Sequence, residues 1–198
     1  MVTDKDFGWN RMIEGLDELK DLEVVVGIQS DAGMTDDGSM TMAKLGAVHE
    51  FGADILQPPQ AVTLYRRKKK NGKFANKGRF VKKKRANTVT TAMTGWKRIH
   101  IPSRPFMRSA IDNNKNSIVR VARKEVEAII DGEQDARMAA IGVGMHVEGL
   151  IKKNFVVGDF APLAKSTIKR KGSSRPLIDT GHLRQSIRYV IRRKGEEK

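Results

Sequence analysis

The chain has no cysteine among its 198 residues. Disulfides, thiolate nucleophiles and Cys-type zinc sites are therefore excluded, and the composition suits a reducing compartment. Aromatic residues make up only 6% while hydrophobic residues reach 39%, so a core has to be built from Val, Ile, Leu, Met and Ala. No stretch approaches the roughly 18 consecutive apolar residues of a membrane-spanning helix. The opening residues MVTDKDFGWNRMIEG carry no apolar signal-peptide segment, and the expectation is a soluble chain made in the cytoplasm, without a membrane partner.

Acidic residues are missing from one long stretch. Between Ile55 and Ile111 stand sixteen Lys and Arg and not one Asp or Glu, whereas the whole chain has a net charge of +15. The remainder is close to neutral, so a balanced domain carries a basic segment set into it. Such a segment either binds polyanions through phosphate contacts and counterion release or serves as a solvated surface arm.

The apolar spacing says what the rest builds. Phe7, Trp9, Met12, Ile13, Leu16 and Leu19 predict an amphipathic helix over 4–20, capped by Thr3 or Asp4. LEVVVGI (22–28) reads as a strand, and the Gly/Asp/Ser-rich residues after it as a loop. TMAKLGAVHEF (41–51) returns to helical spacing, with Phe51 closing the helix face and Gly52 ending it. In the basic segment, AVTLYRR and RFVKKKR predict two strands around a polar turn at Asn71-Gly72, and ANTVTTAM a third strand. IPSRPF opens a long helix from Ser103 or Arg104 that Asp131-Gly132 ends, and a second long helix spans Glu133–Phe155. Short helices at 166–171 and 181–187, the latter capped from Thr180, precede a final strand at 188–192. The expected fold is α+β: a small, mostly antiparallel sheet against two long helices, with core segments 1–57 and 101–198 and a β-rich basic hairpin insertion at 58–100.

Groups able to do chemistry together are scarce. His49-Glu50 matches the start of H-E-x-x-H, but the second histidine position holds Ala53, so one helix face lacks its two imidazoles; His49 reads as a capped helix end. Asp31, Asp36 and Asp37 lack EF-hand spacing and read as a solvated turn. Phosphate-cradling glycine loops and the G-x-S-x-G elbow are absent, and Lys171-Gly172-Ser173-Ser174 reads as a flexible loop. No enzyme, cofactor or metal centre is expected. Tyr65, Phe74 and Phe80 either stack on bases or pack within the hairpin. The candidate partner or polyanion contacts are Arg66, Arg67, Lys68, Lys69, Lys70, Lys82, Lys83, Lys84 and Arg85.

VVVGI, AVHEFGA, IPSRPFMRSAI, a helical pair, and then PLAKSTIKRKGSSRPLIDTGHLRQSIRYVI, in that order, resemble the virion morphogenesis or tail-completion proteins of tailed phages, a group that includes Z-like minor tail components. The resemblance covers residues 22–56 and 101–192 and leaves out 58–100. Its structural motif residues are Phe51, Gly52, Pro102, Arg104, Pro105, Phe106, Asp179, Thr180, Gly181 and Leu183. Arg104 is expected to pair with a carboxylate, Phe106 to anchor its helix, and Asp179–Gly181 to form a capped turn. The resemblance implies a homo-oligomeric ring, commonly a hexamer, at the head-proximal end of the virion tail. Such a ring completes the tail and meets the tail tube and the head–tail connector. The basic insertion then docks onto protein, the favoured reading, or faces DNA in the channel; the alternative function is a non-specific nucleic-acid-binding module using 65–85.

Overall fold

A computed structural model describes residues 8–196; Thr3, Asp4, Phe7, Glu197 and Lys198 lie outside the described residues. Helix α1 (Trp9–Asp21) starts after Gly8 at φ +91°. Its inward face differs from the expected one. Met12, Leu16 and Leu19 are half-buried while Trp9 and Ile13 are exposed, because α1 packs closely through Gly15, where a Cβ would stand 2.9 Å from Ile129.

Strand β1 (Leu22–Ile28) pairs antiparallel with the last strand, β6 (Ile187–Arg193), in a register running from Leu22 opposite Arg193 to Ile28 opposite Ile187. Helix α5 (Ala136–Val157) packs against both strands. Its small residues permit this, since a Cβ on Gly144 would come within 2.7 Å of the Tyr189 ring. The expected single helix after IPSRPF is two: α3 (Phe106–Asp112) and α4 (Lys115–Ile130). Asn113 and Asn114 separate them, and Asn114 donates its side-chain amide to the Ala110 carbonyl at 2.7 Å, competing with the helical bond. Helix α4 packs along α5, giving two long helices beside an antiparallel strand pair.

The core gathers Met42, Phe106, Ala110, Val147, Ile151, Phe155, Leu177, Leu183 and Ile187. The rings of Phe106 and Phe155 lie 4.6 Å apart at 53°, a tilted pairing that favours aromatic contact. Helix α2 (Met42–Phe51) joins this core through Met42, and Thr41 caps it by accepting from the Lys44 amide at 3.2 Å. Helices α6 (Lys165–Lys171) and α7 (His182–Gln185) complete the unit. The α+β class follows directly from these elements.

The chain divides into two compact units, residues up to Ala53 with those from Pro102 onward, and Asp54–Ile101. The sequence places the boundaries at 58 and 100; the second unit also takes in strand β2 (Ala53–Gln57) from Asp54 onward and the whole of β5 (Lys97–Ile101), which pair. Its other sheet joins β3 (Ala61–Arg66) to β4 (Thr88–Met93) in antiparallel register. RFVKKKR is not a strand: it leads into a single 3-10 turn at Lys83–Arg85, because β3 finds its partner in the β-branched TVTTAM instead. The Asn71-Gly72 reversal is present, with the Gly72 amide donating to Lys69 O at 3.0 Å and Gly72 at φ +79°. No described helix is long and apolar enough to cross a membrane.

Candidate functional site

Glu50 ends α2 as an acid with only 1% of its surface exposed. Its carboxylate accepts the backbone amides of Met107 at 2.9 Å and Arg108 at 3.0 Å. Those are first-turn donors of α3, whose own cap position is Pro105, without a side-chain acceptor. A carboxylate from another helix therefore caps α3, where the helix dipole favours negative charge. Arg108 adds its Nε to the same carboxylate at 3.1 Å. The helix begins at Phe106 rather than at Ser103 or Arg104, since the Arg104 amide is turned to His49 O at 2.7 Å and Ser103 Oγ donates to Glu50 O at 2.9 Å.

Three expectations change here. Arg104 is buried and meets no carboxylate among the described residues; its guanidinium donates to the carbonyls of Ala161 at 2.8 Å and Pro162 at 3.1 Å, and burial pulls its pKa down. Phe51 does not close the helix face: it is 67% exposed with the Arg108 guanidinium 5.1 Å above its ring. Thr180 does not cap α7, because Gly181 holds that position at φ +88° with no side-chain acceptor. Phe106 is fully buried as expected, Pro102 is half-buried, and Gly52 ends α2 at φ +78°.

A cavity of about 520 Å³ brings the separate motifs together. His49 of AVHEFG lines it with Lys171, Leu177 and the Asp179–Leu183 turn. His49 is not a charged helix cap. Burial, with the Arg104 and Lys171 charges, pushes its pKa down to about 4, and its buried Nδ1 finds no hydrogen-bond partner among the described residues. Lys171 is also lowered, chiefly by burial, against the opposing pull of Asp179. The loop after it closes on itself, with Lys171 Nζ donating to Arg175 O at 2.8 Å and the Arg175 amide to Ser173 Oγ at 3.2 Å. Leu177 sits in the left-handed region at φ +62° while 8% exposed, a strained position held by packing.

The acidic loop is tied down rather than merely solvated. Asp31 pairs with Arg188, and Asp36 with His182 at 2.5 Å. Asp37 accepts the hydroxyls of Thr35 and Ser39 and the Ser39 amide, which bring its pKa to about 2. Among the described residues no three His, Asp or Glu side chains stand together as metal ligands.

No protein-family model, curated protein or solved structure matches this chain. Its chemistry is therefore read from its own geometry.

In the second unit the nine candidate cations separate into three sets. Arg66 is half-buried, its guanidinium between the rings of Phe74 and Phe80 at 5.0 Å from each, and its Nε lacks a hydrogen-bond partner among the described residues. Lys68 reaches the Phe74 ring at 5.4 Å. Phe74 and Phe80 thus hold the hairpin's own cations. Arg67, Lys82, Lys84 and Arg85 converge with Phe80 and Val81 on a groove of about 430 Å³. Lys69, Lys70 and Lys83 are exposed and outside that lining. Asp54, the sole carboxylate of 54–101, is held below the usual range by hydrogen bonding to His100 and the nearby Arg98.

The sequence shows Glu50 only as part of an incomplete zinc motif and Lys171 only as part of a loop, and neither the cap on α3 nor the place of Lys171 in the cavity is visible there. The available signal for Glu50 is that it is the single carboxylate of α2; its partners lie 57 and 58 residues away, beyond any local pattern.

Proposed function

We propose that this chain is a structural subunit of a tailed-phage virion, assembling as a ring at the head-proximal end of the tail. There it completes the tail and joins it to the head connector. The observation that carries the reading is the interlocking of the motifs behind the resemblance. AVHEFG supplies the carboxylate that caps the helix of IPSRPF, and its histidine shares a cavity with the DTG turn. Motifs that depend on one another in this way form one structural device rather than scattered likenesses.

A ring also needs a surface for its neighbours. Met138, Met145 and Val156 of α5 are 52%, 59% and 47% exposed. With Gly149 they fall on one side of the helix, by its 100° per residue, as a stripe suited to a helix of the next subunit. A heterologous contact of this kind closes into a ring when its rotation permits.

Electron microscopy of the purified protein and of particles containing it tests the reading. The expected result is a closed ring, alone or at one end of a tail tube, that Met138→Glu with Met145→Glu converts to folded monomers. A wild-type protein that stays monomeric at high concentration and is absent from purified virions would sink it.

A further inference from the structure

We propose that the groove formed by Arg67, Lys82, Lys84 and Arg85 is a binding site for the phosphodiester backbone of nucleic acid. This does not rest on the ring reading, because every residue in it belongs to the second unit.

The groove is held open in advance. Next in the chain to its lining residues, the Asn87 side chain grips the Lys68 backbone twice, accepting its amide at 2.6 Å and donating to its carbonyl at 2.7 Å. The Val81 amide donates to Tyr65 O at 2.9 Å, and that of Asn87 to Arg66 O at 3.2 Å. These bonds tie the 81–87 segment, which carries three of the four groove cations, to the end of β3. Arg66, clamped between the aromatic rings, holds Phe80 beside the groove, and Phe80 remains 60% exposed.

The charge is uncompensated. Among the described residues none of the four groove cations takes part in an ion pair, and no carboxylate lines the groove. Four like charges around one cavity repel each other, and an anionic ligand relieves that repulsion. The choice between nucleic acid and an acidic protein follows from residue type. Lysine is depleted at protein–protein interfaces, yet residues 68–84 carry Lys68, Lys69, Lys70, Lys73, Lys77, Lys82, Lys83 and Lys84. Flexible ammonium groups suit a phosphate backbone, where neutralisation releases counterions whatever the sequence. An exposed ring beside them gives a single strand a face to stack on.

The test is binding of the full-length protein to a fluorescent single-stranded oligonucleotide and its duplex across a salt series. Four phosphate contacts give a slope of log affinity against log salt near about −3.6 for duplex and about −2.8 for single strand. For the duplex this is a loss of roughly 150-fold between 50 and 200 mM salt. Reversing the groove (Arg67→Glu, Lys82→Glu, Lys84→Glu, Arg85→Glu) removes most of that affinity and flattens the slope. The four-glutamine variant does the same to a lesser degree, and it keeps the test decisive if charge reversal unfolds the unit. The same number of reversals at Arg120, Arg123, Lys124 and Arg137, all exposed on the first unit, leaves binding within a few fold. Equal losses in the two reversal variants would show general attraction to a basic protein and overturn the site. So would polyglutamate binding as tightly as the oligonucleotide at equal salt, which would assign the groove to an acidic protein.

Discussion

At Glu50 a single side chain joins two helices that are distant in sequence. Both its oxygens are committed, to the amides of Met107 and Arg108 and to the Arg108 guanidinium. Truncation leaves first-turn donors of α3 without an acceptor in a buried setting. Glu50→Ala is expected to cost about 2–4 kcal/mol, combining a lost cap with lost charge-assisted bonds. Glu50→Gln keeps an acceptor and loses less. Urea unfolding monitored by circular dichroism checks both, and an alanine variant as stable as wild type would remove Glu50 from this role. His49 makes a different prediction. Its folded pKa of about 4 lies below the ordinary histidine value of 6.5, so between those values the unfolded chain binds the proton more readily. Stability is therefore complete above pH 6.5 and falls as the pH drops toward 4, by roughly 2–3 kcal/mol at the lower end. His49→Gln is expected to flatten that part of the stability profile. A His49→Gln variant with an unchanged acid slope would assign the loss to other groups.

Among the elements, glycine position separates two outcomes on one helix. At Gly144 an added Cβ would meet Tyr189 at 2.7 Å, whereas at Gly149 nothing lies within 4 Å. Alanine is favoured over glycine in a helix by ~1 kcal/mol. Gly149→Ala should gain about that much, while Gly144→Ala should lose about 1–3 kcal/mol as α5 is pushed off β6. Denaturant midpoints of the two variants check the opposite signs. The same contrast explains what the sequence made legible. β1, α2, the Asn71-Gly72 turn and the Ala/Gly-rich packing face of α5 depend on spacing or local backbone preference, and all could be read from it. The inward face of α1 could not, since Trp9 and Ile13 fit the period but the close approach at Gly15 turns them outward. RFVKKKR has the look of a strand but is none, because β3 selects its partner by long-range pairing, from Arg66 opposite Thr88 to Ala61 opposite Met93. The candidate site shows the same division. The cations of 66–85 are obvious from composition, but which four share a groove depends on how the chain returns from Phe80 to Asn87.

On the scale of the whole molecule, stability and charge are assigned to different units. Every residue of the hydrophobic core cluster lies before Ala53 or after Pro102. Among the described residues of 54–101 no side chain is buried, and each sheet there has two strands. Two strands alone are marginal in water, and a lasting sheet needs a third strand or a packed face. The second unit should therefore form no cooperative fold by itself, while the first keeps its own core. Strands β2 and β5 pair where the unit leaves and rejoins the chain, so a short Gly/Ser linker can replace 54–101. The shortened protein is expected to melt cooperatively within about 2–4 °C of the full chain, the shift corresponding to a change of 1 kcal/mol in a domain of this size. The isolated 54–101 peptide is expected to show no cooperative transition. A shortened protein that fails to fold would show that the basic unit contributes to the core's stability. A cooperative transition in the peptide would show that its exposed sheets suffice. The first result would tie the two units into one folding event, and the second would make the arm a domain in its own right. The burial pattern argues against both, because among the described residues the hydrophobic core cluster is the one that the excision leaves intact.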